Sequence, residues 1–309
     1  FASRCGKVCD SCRQTLTPLT EIDASVHWRS RCTKAHEAPV NEQQEGLQQV
    51  TDMMKSIVNM EQTDFPTLVN AQIKRHCYYT RQGLLGRKKP WDVLQDIDVQ
   101  IEHGEILGLV GESGCGKSTL ARLLLGHQKP TQGIVLFKDQ PIPEPRSKPW
   151  RAQRAAMQMI YQDPYGCFDA RMSVIEQVAE PLMVHKHLSK ESALERAAAV
   201  LKAVGMPAHH MNKLPVVMSG GQLQRAAIAR AVALEPALLV CDEPVASLDV
   251  SIQAQVLELL YNLRNASHMS MLFVSHNLNV VRYICDRVVV MYLGRIVESG
   301  DVDEIFKHP

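Results

Sequence analysis

The sequence predicts an α/β fold with a mostly parallel sheet from about residue 66 onward. Short apolar runs alternate there with segments whose apolar residues recur at helical spacing, and this alternation is typical of strands and helices packed in layers. A glycine-rich loop joins one apolar run to a helical segment. Three further runs end in Gln, in Asp-Glu and in His. Strand ends of this kind are where an α/β sheet holds its ligands.

The elements follow in order along the chain. Apolar positions alternate over 91–101, which predicts a strand, and further strands are predicted at 68–78, 105–110, 133–138, 156–161, 237–241 and 271–275. The segment 287–300 is predicted to form a hairpin. Helices are predicted at 117–126, 173–204, 219–234 and 251–265. Ser189 is placed to cap the last helix of the 173–204 stretch, which ends at Gly205.

Composition excludes several classes of protein. The 309 residues carry a formal net charge of +1, so no overall field favours nucleic acid. No run of eighteen apolar residues occurs, so any membrane role requires a partner. Nine cysteines are present, but Cys115 lies in the glycine-rich loop and Cys241 in an apolar run. We therefore expect reduced thiols in a cytosolic protein.

The N-terminal part differs from the rest. Residues 1–35 are rich in cysteine, residues 36–65 are rich in Gln and Glu and are predicted to be a linker, and the α/β domain is predicted at 66–309. The first residue is Phe rather than Met, so we expect a longer product. The sequence contains no internal repeat.

The segment GESGCGKST, residues 111–119, has the spacing of a phosphate-binding loop. Its glycines let backbone N–H groups approach an anion, Lys117 would reach the β- and γ-phosphates, and the Ser118 hydroxyl would bind Mg²⁺. The alternative is a turn that binds nothing, but the strand before it and the helix after it favour phosphate. The predicted nucleotide-binding residues here are Gly111, Glu112, Ser113, Gly114, Cys115, Gly116, Lys117, Ser118 and Thr119.

The apolar run PALLVCDEP ends in two carboxylates. Asp242 would bind the metal ion, directly or through its water. Glu243 would orient and deprotonate the attacking water. The alternative interpretation is a solvated acidic strand end.

A second candidate anion site begins at residue 219. Ser219 can cap the following helix, while Gly220, Gly221 and Gln222 leave N–H groups open to phosphate. One nucleotide does not need two such sites from one chain. We therefore expect a dimer, in which each chain completes the site of the other.

Three further polar residues follow strands or the carboxylate pair. Gln162 opens a loop and can ligate the metal or its water, although a plain turn glutamine is the alternative. His276 could bond to the γ-phosphate, although a structural histidine is the alternative. Asp249 lies in the segment ASLD, where it could reach a second subunit.

The order of these motifs resembles the ATP-binding domain of ABC transporters. GESGCGKST is similar to the Walker A loop, YQDP to the Q-loop, SGGQ to the signature, LLVCDE to Walker B, SLD to the D-loop and SH to the switch histidine. The resemblance implies a P-loop ATPase whose core carries an antiparallel β subdomain and a helical subdomain near 163–235. It further implies ATP and Mg²⁺ as cofactors, with Ser118, Gln162 and Asp242 at the metal and Glu243, Gln162 and His276 in catalysis.

Two departures from the family pattern stand out. Met218 replaces the usual leucine before the signature, and an unbranched side chain should pack there. The aromatic residue that stacks on adenine in this family has three candidates here, Cys77, Tyr78 and Tyr79, of which Tyr78 is favoured.

The residues within these motifs resemble those of the ATPases of the dipeptide, oligopeptide and nickel importer group. Cys5, Cys12 and Cys32 match the cysteine-rich C-terminal extension of that group, so residues 1–35 resemble the tail of a preceding ATPase domain. The chain thus looks like the second half of a tandem fusion. Iron–sulfur clusters in some relatives need four thiolates; only three match, with Cys9 a poor substitute, and free thiols are favoured.

The resemblance implies an ATPase on the cytoplasmic face of the inner membrane. Its expected partners are a second ATPase domain, which could be a copy, a paralogue or the missing half, and two permease subunits fed by a solute-binding protein. A regulatory ATPase of a soluble enzyme complex, as in phosphonate breakdown, is the alternative, and the partner discriminates between them. The sequence does not specify the solute.

Overall fold

The computed structural model divides the chain into two units, Phe1–Glu45 and Gly46–Pro309. It describes residues 20–23, 28–30, 67–81 and 88–307. In the first unit, β1 (Thr20–Asp23) pairs antiparallel with β2 (Trp28–Ser30). The predictions about Cys5, Cys9, Cys12 and Cys32 and about the linker at 36–65 lie outside the described residues. The domain boundaries therefore stay predictions.

The second unit contains ten strands among its described residues. In chain order they are β3 (Thr67–Arg81), β4 (Lys88–Glu102), β5 (Ile106–Gly111), β6 (Gln132–Phe137), β7 (Gln140–Pro141), β8 (Met157–Ile160), β9 (Leu238–Asp242), β10 (Ser270–Val274), β11 (Arg287–Tyr292) and β12 (Arg295–Asp301). Each predicted strand is present. β3 is longer than its prediction, because pairing with β4 extends it to Arg81.

Nine α-helices lie among the same residues. They are α1 (Lys117–Leu124), α2 (Lys148–Gln153), α3 (Val174–Lys186), α4 (Lys190–Ala203), α5 (Ala208–Met211), α6 (Gly220–Val232), α7 (Val250–Ser267), α8 (Leu278–Ile284) and α9 (Val302–Lys307). The sequence did not predict the short helices α2, α5, α8 and α9. Among the described residues, no helix is long and apolar enough to cross a membrane.

The predicted helical stretch 173–204 consists of two helices. His187 ends α3 in the left-handed region at φ 54°, which breaks the helical path. The Ser189 hydroxyl then accepts a hydrogen bond from the Ser192 N–H at 3.2 Å and caps α4. Gly205 follows α4 at φ +77°. The cap and the terminating glycine predicted from the sequence are therefore confirmed.

A six-stranded sheet forms the centre of the unit, in the order β12-β11-β5-β10-β9-β8. All neighbours are parallel except β11 and β12, which form the predicted hairpin. Alternate residues of its strands point to opposite faces. In β10, for example, Met271 and Phe273 join the core on one face and Leu272 and Val274 the core on the other. Both faces are covered, which explains the fully apolar runs in the sequence.

The two cores place different elements on the two faces. On one face, α1 packs with a four-stranded antiparallel sheet of order β4-β3-β6-β7. On the other face lie α7, α8 and the helical segment α3, α4 and α6. The helical segment joins the sheet through β8, its edge strand. The predicted α/β fold with an antiparallel and a helical part is confirmed.

A buried ion pair holds β11 against the turn that precedes β5. Glu105 is 6% exposed, and its Oε1 accepts a hydrogen bond from Arg287 Nη1 at 2.9 Å. Its Oε2 accepts from the Glu102 N–H at 2.7 Å. Burial raises the pKa of Glu105, and the Arg287 charge opposes that rise. The buried carboxylate therefore depends on its partner.

Replacing Arg287 by alanine should lower the free energy of unfolding by about 2–3 kcal/mol, because it leaves Glu105 buried without its charged partner. The control is Arg295→Ala, which breaks the exposed pair with Asp96 and should cost less than about 0.5 kcal/mol. Urea denaturation followed by circular dichroism measures both. Equal losses in the two variants would contradict a special role for the buried pair.

Candidate functional site

Four strands of the central sheet end at the same edge, and each is followed by a polar segment. β5 leads into Gly111, β8 is followed by Gln162, β9 ends at Asp242, and β10 is followed by His276. Carboxyl ends of neighbouring parallel strands meet at one edge of a sheet. The fold therefore brings together four motifs that lie up to 165 residues apart, from 111 to 276.

The glycine-rich loop takes a path that side chains would block. Gly111 has φ +150°, and a Cβ there would lie 2.2 Å from the Met291 carbonyl oxygen. Gly116 has φ +106°, and its Cβ would meet Leu94 at 2.7 Å. Both positions therefore require glycine. Gly116 is also the residue before α1, so the N-terminus of this eight-residue helix faces the loop.

Lys117 is 7% exposed and points into the loop. Its Nζ donates hydrogen bonds to the carbonyl oxygens of Gly111 at 2.8 Å and Glu112 at 2.9 Å. A buried ammonium needs such acceptors. The charge therefore sits inside the loop, beside the N–H groups that would meet an anion.

Ser118 and Asp242 form the second polar pair. The Ser118 hydroxyl donates to Asp242 Oδ1 at 3.2 Å, and Asp242 is 8% exposed. Burial raises the pKa of Asp242, and this rise is opposed by the bond from Ser118. A hydroxyl and a buried carboxylate are oxygen ligands that suit Mg²⁺. No group of three His, Cys, Asp or Glu that could hold a metal occurs in the described part of the chain.

Glu243 lies between Gln162 and His276. Gln162 Nε2 donates to Glu243 Oε2 at 3.0 Å, and His276 Nδ1 lies 3.2 Å from Glu243 Oε1. Glu243 has φ 49°, a left-handed conformation that costs energy outside glycine. The strain and the two side-chain contacts fix where the carboxylate points.

Most of these groups line one cavity of about 510 Å³, although Gly111 and Asp242 are not part of the lining. Its lining comprises Tyr78, Trp91, Val93, Ser113, Gly114, Gly116, Lys117, Ser118, Thr119, Gln162, Glu243 and His276. Polar groups lie at the loop end and at the carboxylate. Tyr78, Trp91 and Val93 add apolar and aromatic groups to the same lining. A cavity of this composition suits a ligand with a charged end and a flat apolar end.

Of the three candidates for base stacking, only Tyr78 lines the cavity. Cys77 is buried and Tyr79 is 61% exposed. The Tyr78 hydroxyl donates to Gln128 Oε1 at 2.8 Å, and its ring meets the edge of His76 at 5.2 Å between centroids. Gln128 comes shortly after α1, so one hydrogen bond links Tyr78 to the segment that follows this helix.

The signature segment does not line this cavity. Ser219 Oγ accepts from the Gln222 N–H at 3.3 Å, and Gln222 Oε1 accepts from the Ser219 N–H at 3.0 Å, which is a capping box. A Cβ at Gly221 would lie 2.8 Å from Ile252, in the helix that begins after Asp249. The signature thus lies beside the segment around Asp249, and neither belongs to the lining of the cavity that contains the phosphate loop.

Three predicted nucleotide-binding residues of the loop, Gly111, Glu112 and Cys115, are also outside the lining. Cys115 is 5% exposed, and its Sγ lies 4.0 Å from Lys117 Nζ. Glu112 contributes its carbonyl oxygen to Lys117. Their part in nucleotide binding therefore stays a prediction.

Four residues near the predicted site were missed from the sequence: Trp91, Val93, Gln128 and His210. Trp91 and Val93 line the cavity from β4, and His210 Nδ1 lies 3.0 Å from Gln222 Nε2. An exposed tryptophan could have drawn attention to β4. Nothing in the sequence indicated that Gln128 or His210 would reach a motif elsewhere.

Comparison with known proteins agrees with the geometry. A family model described as "ABC transporter" matches residues 94–246. The dipeptide transport ATP-binding protein DppF of Escherichia coli (strain K12) is 40% identical over 244 residues, which is 79% of this chain and 73% of that protein. The chain belongs to the ABC transporter family. It is an ABC-type ATPase, as its motifs predicted.

One further relative and one solved structure are also similar to this chain. The oligopeptide transport ATP-binding protein OppF of Escherichia coli (strain K12) is 45% identical over 222 residues, 72% of this chain and 66% of that protein. A dimeric structure of the ATP-binding cassette MJ0796, bound to ADP and Pi after hydrolysis, aligns with a TM-score of 0.68 and 25% identity over 76% of this chain and 98% of that one.

The contact between Gln222 and His210 should depend on pH. Gln222 Nε2 donates to Nδ1 only while the ring is neutral. Burial, with the charges of Lys213 and His209, lowers the pKa of His210, so the contact persists below the ordinary titration range of histidine and is lost as the pH falls through the lowered pKa. In a titration from pH 8 to pH 4, the Gln222 side-chain amide signals in ¹⁵N NMR should shift only below the ordinary titration range of histidine.

The matched variant is His210→Leu, in which the Gln222 amide signals should be independent of pH over that range. A signal that moves equally in the parent and the variant would contradict the contact.

Proposed function

We propose that this ATPase is the ATP-hydrolysing subunit of an importer for peptides or related small solutes. One observation carries the proposal. A single cavity is lined by the Lys117 phosphate loop and by a carboxylate, Glu243, which Gln162 and His276 contact. The relatives named for dipeptide and oligopeptide transport supply the solute class.

Substrate binding follows from the loop. Lys117 releases its two carbonyl partners in favour of the β- and γ-phosphates of ATP, and the N-terminus of α1 adds its partial positive charge. The N–H groups of 111–119 surround the phosphates. Tyr78 offers a ring face to the adenine. Ser118, Asp242 and Gln162 would hold the Mg²⁺, which when bound neutralises charge on the phosphates.

Hydrolysis needs a positioned water and a base. Glu243 accepts the proton of the water that attacks the γ-phosphate. Gln162 and His276 keep the carboxylate in position, and His276 stabilises the charge that develops on the γ-phosphate in the transition state. The left-handed backbone of Glu243 aims its side chain at that position before substrate arrives. Positioning and electrostatics supply the catalysis, because phosphoryl transfer needs little covalent chemistry from the protein.

A second ATPase domain completes the site. The signature residues Ser219, Gly220, Gly221 and Gln222 lie away from the chain's own loop, next to Asp249. In a head-to-tail pair, the signature of each domain would close over the ATP of the other. ATP then drives closure, and hydrolysis reopens the pair.

Coupling to a permease would use the groove beside β8. The groove has a volume of about 460 Å³, and Tyr161, Pro181 and Val184 lie in its wall. Gln162 follows Tyr161 directly, so the segment from Gln162 to Arg171 connects the γ-phosphate to this groove. A cytoplasmic helix of the permease would dock there, which would hold the ATPase peripherally on the inner face of the membrane.

Replacing Glu243 by glutamine should lower the rate of ATP hydrolysis by about 10²–10⁴-fold, because an amide cannot accept the proton. ATP affinity should remain, so a closed, ATP-bound pair accumulates and is measured by size-exclusion chromatography. The control is Glu258→Gln on the exposed face of α7. Hydrolysis near the parent rate in Glu243→Gln would remove Glu243 from the role of base.

The partner decides the biological role. The tagged chain is purified from gently solubilised membranes, and co-purifying chains are identified by mass spectrometry. Two multispanning subunits would support the importer. Soluble enzymes alone would instead support the regulatory ATPase of an enzyme complex, while leaving the ATPase assignment unaffected.

Introducing a charge into the groove should prevent binding to the membrane subunits without affecting ATP hydrolysis. Val184 is 59% exposed, and Val184→Glu should abolish co-purification of the membrane subunits while basal ATP hydrolysis stays at the parent rate. Val297 on β12 is similarly exposed, at 60%, and Val297→Glu serves as the control. Retained subunits in Val184→Glu would place the docking surface elsewhere.

A further inference from the structure

We propose that Trp91 is a second aromatic contact for the nucleotide base, beside Tyr78. The inference rests on the proposed ATP site and adds a residue that determines how the ligand is held there. It comes from three observations: the position of Trp91 in the cavity, its exposure, and the way in which Tyr78 is fixed.

Trp91 and Tyr78 are directly opposite each other in the antiparallel pair of β3 and β4. Residues opposite each other in such a pair point to the same face of the sheet, with their Cβ atoms about 5 Å apart. Both side chains line the cavity that contains the phosphate loop. The two rings therefore form adjacent parts of one aromatic wall.

The indole of Trp91 is left uncovered. It is 63% exposed, and in the described part of the chain no hydrogen bond holds the indole and no other ring stacks against it. An indole is a large and rigid π-face, and this one belongs to the lining of a cavity whose other members are mostly polar.

Tyr78 is held differently. Its hydroxyl is bound by Gln128 at 2.8 Å, and its ring packs against His76. The tyrosine ring is thus fixed in one orientation, and the indole beside it is free to adjust. A flat heteroaromatic ring that extends from the phosphate loop across Val93 would lie on this wall. Stacking of a base on an aromatic ring needs no polar recognition of the base edge.

The test distinguishes binding of the base from binding of the phosphates. Equilibrium binding of Mg-ATP and of Mg-tripolyphosphate, which has no base, is measured for the parent and for Trp91→Ala, Trp91→Phe and Tyr79→Ala. Trp91→Ala should weaken ATP binding about five- to hundredfold and leave tripolyphosphate binding unchanged. Trp91→Phe, which keeps a π-face, should recover most of the ATP affinity.

Tyr79→Ala is the matched control, because Tyr79 is a neighbouring ring of similar exposure, 61%, outside the cavity lining. It should bind both ligands as the parent does. Tryptophan fluorescence gives an independent readout. ATP, but not tripolyphosphate, should lower the fluorescence intensity of the parent protein, and this decrease should be lost in Trp91→Phe.

Two outcomes would overturn the inference. Either Trp91→Ala binds ATP as tightly as the parent, or it loses ATP and tripolyphosphate to the same extent, which would indicate a structural role. Failure of the proposed function is a separate result, because it would appear as absent ATP hydrolysis in the parent, whereas these measurements concern binding alone.

Discussion

The buried ammonium of Lys117 is the constraint around which the site is built. An ion that is almost removed from water must be surrounded by acceptors, and the carbonyl oxygens of Gly111 and Glu112 supply them. To do so the loop must fold back over the lysine, and this path brings Gly111 to within contact of the Met291 backbone, where a side chain would not fit. The glycines, the lysine and the end of β11 therefore depend on one another.

The parallel sheet extends this constraint to the chemistry. Because β10 runs parallel beside β5, and β9 parallel beside β10, Asp242 and His276 lie at the same edge of the sheet as the loop. Desolvation raises the pKa of Asp242, which is the cost of placing a carboxylate where a cation is to be bound. Glu243 has a strained left-handed backbone, and its contacts with Gln162 and His276 hold the carboxylate in one orientation. The orientation of Glu243 is thus set before a ligand binds, whereas Lys117 must exchange its two carbonyl partners for phosphate.

The helix start at Ser219, which we propose as a second anion site, does not line the chain's own cavity. The capping box of Ser219 and Gln222 keeps the N-terminus of α6 ordered, and the contact with His210 holds the outer side of Gln222. This surface adjoins Asp249, so the groups that would meet a second domain form one continuous region. A fold that leaves half of a site unpaired on each chain makes catalysis conditional on assembly.

The sequence by itself determined the α/β fold, the phosphate loop and the motif order, because periodicity and loop chemistry are local. It also determined the helix starts at Ser189 and Ser219, since a cap acts over three residues. Only the tertiary structure decided which residues complete the site. Trp91 meets Tyr78 through the register of two strands, and Gln128 reaches the tyrosine from another element. Such contacts depend on how distant elements pack, which no local pattern encodes.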